Sequence, residues 1–399
     1  MKLAGKIFLI LFTFIIVLIG ISTFSNIGLP KESTIKKRLG NAQKSYLREM
    51  LHLRRELGSD VIPGWGSSST PLVVYNEEFA FLTGYEGIPP KGWMKVPQNQ
   101  KVGHAWEKVP GDTFNGVTYY RTPLDKASGE PQNFTVKIGG NWVPSLYTYE
   151  YAKVSFFKGF REDIPGFLKP VVPYRLLWHI LMGKKETYIE ALAHEAFHAF
   201  QGQRAPEKLA AAEHAIARSD NYPWHADKSL SLWQKEVNAL YKAVKAESKE
   251  ETKMYAAIFL ERRNQRRAVL DLQQQEVEYE QRREWLEGMA KYAELRLGYA
   301  AYQHDTYQPV PAMDTIRGFH GYAKEDTHWE QQLKELKRVS NKLGDGLFYY
   351  TGLAQARLLD SLSPGWQSQL WEKSIMPETM LKQQVKTKKL IRYQRFNHD

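Results

Sequence analysis

The sequence predicts an α+β fold: a β-rich N-terminal subdomain, then a mainly helical domain, with a transmembrane helix at the N-terminus. Three features of the 399 residues carry this expectation. Residues 7–24 form an apolar stretch behind Lys2 and Lys6. Residues 70–173 are rich in Gly, Pro, Val, Tyr and Thr and break into short runs. From 176 to about 337 the chain carries long stretches without Pro or Gly.

The apolar stretch is broken only by Thr13, Gly20, Ser22 and Thr23. As a helix, its roughly 18 residues reach about 27 Å, close to the hydrocarbon thickness of a bilayer. A cleavable signal has a shorter apolar core and small residues at its exit. The expectation is therefore a single-pass anchor in the cell membrane with the folded part on the extracytoplasmic side, or a secreted chain if the segment is cleaved. With no cysteine, neither disulfides nor thiolate chemistry is available. Stability must come from core burial, which 18 Phe, 22 Tyr and 11 Trp can supply.

Residues 33–57 repeat Ile35, Leu39, Ala42, Tyr46, Met50, Leu53 and Leu57 at helical spacing. The run from Pro63 to Ser69 ends that helix. Runs such as 71–75, 116–120 and 133–138 read as strands, and Gly139-Gly140 before Asn141-Trp142-Val143 reads as a hairpin turn. Beyond 176, helices are expected over 209–218, 230–246 and 252–302, the last bending near Gly288, with breaks at Pro206 and Pro223. Arg262, Arg263, Arg266 and Arg267 are expected to form ion pairs on a helix surface, with a substrate carboxylate as their other use.

The segments are thus 1–25, anchor or signal; 26–62, helical linker; 63–175, β-rich subdomain; 176–379, helical domain; and 380–399, basic tail. Net charge is +11, concentrated in that tail. Such charge suits an anionic lipid surface or wall polymer, or a solvated end. Nucleic acid is excluded as the partner, because no recognition motif accompanies the charge.

His194-Glu195-Ala196-Phe197-His198 lies in an apolar helical stretch with no Pro or Gly from Lys184 to Gln201. Histidines four apart on a helix share a face, so both imidazoles can reach one zinc ion while Glu195 leans over the open coordination position as general base. A catalytic zinc also needs a third protein ligand, which without cysteine must be His, Asp or Glu.

Further on stands Glu284-Trp285-Leu286-Glu287-Gly288-Met289-Ala290. A helix with His-Glu-x-x-His and a later helix with Glu-Gly-x-Ala resembles the gluzincin metallopeptidases, in which the Glu before that Gly is the third zinc ligand. The resemblance implies His194, His198 and Glu287 as ligands of one Zn2+ and Glu195 as catalytic base. It makes 176–379 a zincin-like catalytic domain acting on a peptide or protein. His198 and Glu287 lie 89 positions apart, so a large helical insertion must separate the two zinc helices. Some gluzincins place an acid four residues after the ligand Glu to orient a ligand histidine. Lys291 stands there instead, which passes the role to Glu294 or Glu284, and Glu284 is also the alternative ligand.

The implied chemistry is hydrolysis by zinc-activated water, with the oxyanion stabilised by a Tyr or His from a later segment; His320 and His328 are the preferred candidates. The β-rich subdomain would offer an edge strand to an extended peptide. Two other functions fit the same residues: a non-catalytic envelope module on a zincin scaffold, and an envelope amidase acting on a non-protein substrate.

Overall fold

In the run Leu72–Tyr75 successive side chains face opposite ways, as a strand requires: Leu72 and Val74 join the main core, while Val73 and Tyr75 join a second cluster. The computed structural model of which this strand is part describes residues 13, 17, 19–125, 129–131, 133–322 and 325–385, with backbone alone at 134 and 325–328.

In chain order the elements are α1 (Asn41–Val61), β1 (Leu72–Tyr75), β2 (Phe79–Thr83), β3 (Trp93–Met94), β4 (Lys101–Val102), β5 (Glu107–Lys108), β6 (Tyr120–Pro123), β7 (Phe134–Ile138) and β8 (Asn141–Tyr147). Helices follow: α2 (Tyr149–Asp163), α3 (Tyr174–Leu181), α4 (Lys185–Arg204), α5 (Pro206–Ala215), α6 (Ser229–Lys245), α7 (Lys249–Val269) and α8 (Gln274–Arg283). A π-helical turn, Glu284–Gly288, leads into α9 (Met289–Gln303), and α10 (Glu325–Val339), α11 (Leu347–Leu362) and α12 (Pro377–Val385) complete the fold. The α+β class holds.

The eight strands form one sheet in the order β4-β3-β7-β8-β1-β2-β6-β5, antiparallel except for the parallel pair β1–β8. Gly139 and Gly140 both adopt positive φ, the geometry of a two-residue hairpin turn, and set the register Ile138↔Asn141.

Helix α4 lies across β8 and β7 and is flanked by α1 and α9. It is buried on nearly every side, which explains its lack of a polar face. Close approach to the sheet depends on Gly202, where a Cβ would stand 2.4 Å from the Trp142 ring. The strand under this helix, β8, is paired on both sides, and the sheet's free edges are the two-residue strands β4 and β5. The expected edge strand for peptide pairing is therefore not beside α4.

The long helix expected over 252–302 divides at Val269, because Asp271 takes a left-handed conformation that an Asp tolerates. Of the four arginines singled out there, Arg262 is exposed and donates to Gln265 at 2.9 Å, but the other three are not surface groups. Arg263 and Arg266 are fully buried and Arg267 nearly so; they pair with Glu236, Glu280, Glu284 and Glu378 at 2.6–3.2 Å. The acids come from four other segments, α6, α8, the π turn and α12, a convergence invisible in local spacing.

The expected transmembrane helix and single-pass localisation are corrected here: among the described residues no helix is long and apolar enough to cross a membrane. Residues 1–12, 14–16 and 18 of that segment lie outside the described residues. Its helical end is tied to the protein surface by polar bonds. Ser22 Oγ donates to Val171 O at 2.6 Å, and Asn26 Nδ2 donates to Pro170 O and Val172 O at 2.8 Å each. Of the basic tail, 386–399 lie outside the described residues.

Candidate metal centre

Helix α4 presents His194 and His198 on one face, one turn apart, as the 3.6-residue period dictates. The facing helix brings Glu287 to both. The two Nε2 atoms are 3.1 Å apart, and Glu287 Oε2 lies 3.4 Å from each. All three side chains are buried, and together they could hold a metal ion.

Both rings are fixed from behind. His194 Nδ1 lies 2.7 Å from Glu294 Oε2; a carboxylate can only accept, so the ring nitrogen carries the proton. His198 Nδ1 lies 2.8 Å from Gln201 Oε1, whose own Nε2 donates to Trp285 O at 2.9 Å. With both Nδ1 atoms protonated, the two Nε2 lone pairs and a carboxylate oxygen converge on one point. Only a positive charge there reconciles them, which is the donor set and geometry a metal requires. Without metal, that charge is a proton. Burial works against protonation of His194, but its bonds to Glu287 and Glu294 outweigh burial and hold its pKa up at about 10. Burial keeps His198 below its usual value.

Glu287 is held as a carboxylate well below the ordinary range: burial opposes this, but Arg283 and His198 overcome it. Arg283 Nη2 binds its Oε1 at 2.9 Å, leaving Oε2 for the histidines, and Arg283 is itself anchored on Asp345 at 2.7 Å. Tyr349 stacks on His194, ring centres 6.0 Å apart and planes within 7°, and burial, then the charge of Glu287, pushes its hydroxyl well above the ordinary range.

Glu195 stands beside His194 with Oε2 buried and without a hydrogen-bond partner among the described residues. Burial, then the charges of Glu287 and Glu294, push it up to about 8 against the pull of His194. Glu213 on α5 is likewise buried with Oε1 unpartnered; burial first and Glu287 second raise it to about 8.

Of the residues singled out from sequence, the structure thus brings together His194, Glu195, His198, Glu287 and Glu294. Lys291 pairs with Glu294, so the departure at that position supports the acid that replaces it. Glu284 turns away: its carboxylate accepts from Arg263 at 2.6 Å and from Thr351 at 2.7 Å. The His320 side chain is exposed, with its backbone N–H on Glu186, and the His328 side chain lies outside the described residues. Sequence reasoning missed Gln201, Glu213, Arg283 and Tyr349. Gln201, three residues after His198, had a readable position; Glu213, on another helix, and Tyr349, 62 positions past Glu287, left no local signal.

No family model matches the chain, and no curated protein or solved structure matches it either.

Proposed function

We propose that the chain is a zinc-dependent hydrolase of the gluzincin type, acting on peptide bonds. The supporting observation is the triangle of lone-pair atoms, with edges of 3.1, 3.4 and 3.4 Å. Four ligands at about 2.0–2.1 Å in a tetrahedron stand roughly 3.3 Å from one another, so the spacing of these three atoms supports zinc as the ion they would hold. When bound, the ion supplies Lewis acidity, polarising a carbonyl and bringing the pKa of a coordinated water to about 7.

The chain's own groups do the rest. Glu195 Oε2 has no competing donor, so it is open to take a proton and return it to the leaving amine. Glu294 and Gln201 keep the imidazoles in the tautomer that presents Nε2. Arg283 fixes which oxygen of Glu287 faces the histidines. Tyr349, whose ring stacks on His194, joins His320 and His328 as a candidate for stabilising the oxyanion.

The test is elemental analysis of the full chain and of the Glu195→Gln, His198→Ala and Glu287→Ala variants, with turnover measured on a mixed peptide library. The wild type should hold about one zinc and cleave. Glu195→Gln should keep the zinc and lose at least about a hundredfold in rate; the other two should lose the metal. A folded wild type that stays metal-free in added zinc would refute the reading.

A further inference from the structure

The connection between the sheet and α4 carries apolar side chains that are exposed among the described residues. On α3, Tyr174 and Trp178 are buried, while Leu176 and Ile180 occupy the opposite face, one turn apart, and are more than half exposed. A water-facing helix would carry polar residues there. The preceding turn adds Phe167 at 79% exposure, and the segment bonded alongside adds Phe24 at 76% and Ile27 at 67%. That segment is not merely adjacent: Arg175 Nε donates to Ser25 O at 2.6 Å and Asn26 to the carbonyls of 170 and 172, so both strips belong to one surface. Contiguous exposed side chains of this size mark a contact surface.

Charge decides what covers it. Between residues 158 and 185 six Lys and Arg stand against two acids, Glu162 and Asp163, in a chain of net charge +11. A second copy docked here face to face would bring two cationic rims together, which costs affinity. An anionic lipid surface satisfies both halves, with apolar side chains entering the acyl boundary and cations resting among the headgroups.

We propose that this surface, centred on Phe167, Leu176 and Ile180 with Phe24 and Ile27 beside it, lies against an anionic bilayer. The contact is interfacial and needs no membrane-crossing helix. It rests on none of the metal-site reasoning.

The absence of cysteine makes the test direct. In the full chain, Phe167→Cys is labelled with an environment-sensitive fluorophore, with Asn264→Cys on the exposed side of α7 as reference. Vesicles of phosphatidylcholine, alone or mixed with phosphatidylglycerol, are then added. Position 167 should shift to the blue and be quenched by lipid-borne nitroxide on the mixed vesicles, position 264 should not, and Ile180→Ser should weaken vesicle affinity roughly tenfold. The proposal is overturned if position 167 stays aqueous on vesicle-bound protein, if neutral vesicles act equally well, or if the shift follows protein concentration without lipid, which would assign the surface to a second copy.

Discussion

His194 Nδ1 lies 2.7 Å from Glu294 Oε2, joining a histidine on one helix to an acid 100 residues later that is not itself a metal ligand in the cluster. Glu294 therefore acts through His194. Replacing it with Gln keeps the shape but removes the charge that holds the tautomer, so Glu294→Gln should weaken metal affinity by about 10- to 100-fold while the fold persists. Competition with a metal-sensitive chelating dye checks this; unchanged affinity would detach Glu294 from the site.

Metal affinity should climb with pH. His194 in the metal-free chain sits at about 10, so below that pH a proton must leave before the Nε2 lone pair can serve a metal. Each pH unit between about 6 and 9 should then raise the apparent affinity close to tenfold. Calorimetry in buffers of different ionisation enthalpy should record about one proton released per ion bound.

The buried arginine cluster predicts how acid unfolds the chain. Burial resists ionisation of Glu280, but Arg266 and Arg267 outweigh it and hold the carboxyl down at about 2, below its ordinary 4.5. Between those values the unfolded chain takes up a proton that the folded chain refuses. The stabilisation is complete above pH 4.5 and is lost as pH falls towards 2. Urea unfolding measured stepwise below pH 5 should show that decline. Glu280→Gln should flatten it and cost about 3–5 kcal/mol at neutral pH, because two buried guanidinium groups lose a partner.

Gly288 and Gly352 mark where the π turn meets α11. A Cβ on Gly352 would fall 2.5 Å from Glu284 O and 2.8 Å from Gly288 Cα, backbone atoms that cannot swing aside. Gly352→Ala should destabilise the chain by about 1–3 kcal/mol, read as a lower thermal midpoint, and should loosen metal binding by displacing the turn that carries Glu287.

The Gly of the Glu-Gly-x-Ala run was legible as a motif letter, but its physical cause, contact with Gly352, depends on a helix 64 positions away. The same division runs through the rest of the molecule. Period-2 and period-3.6 patterns gave the strand-rich and helical regions, the diglycine gave its hairpin, and His-x-x-x-His gave the shared helix face. Long-range partners were not legible. The charged run around Arg263 reads as a solvated face until Glu236, Glu280, Glu284 and Glu378 arrive from four other segments. The apolar run at 7–24 suggested a membrane-crossing helix by length alone, and length does not reveal the polar bonds that tie the segment's end to residues 170–175.

The π turn at Glu284–Gly288 has a consequence for how this chain can vary. On a regular α-helix, acids three apart lie about 60° from each other and would compete for the same neighbours. The widened turn separates them, sending Glu284 to Arg263 and Glu287 to the histidines. Two duties, pairing in the core through Glu284 and completing the candidate metal cluster through Glu287, are therefore written in one helical reading frame. Losing a single residue between 284 and 288 would put both out of phase at once. Point changes on this segment can be compensated by a partner; a change of length cannot.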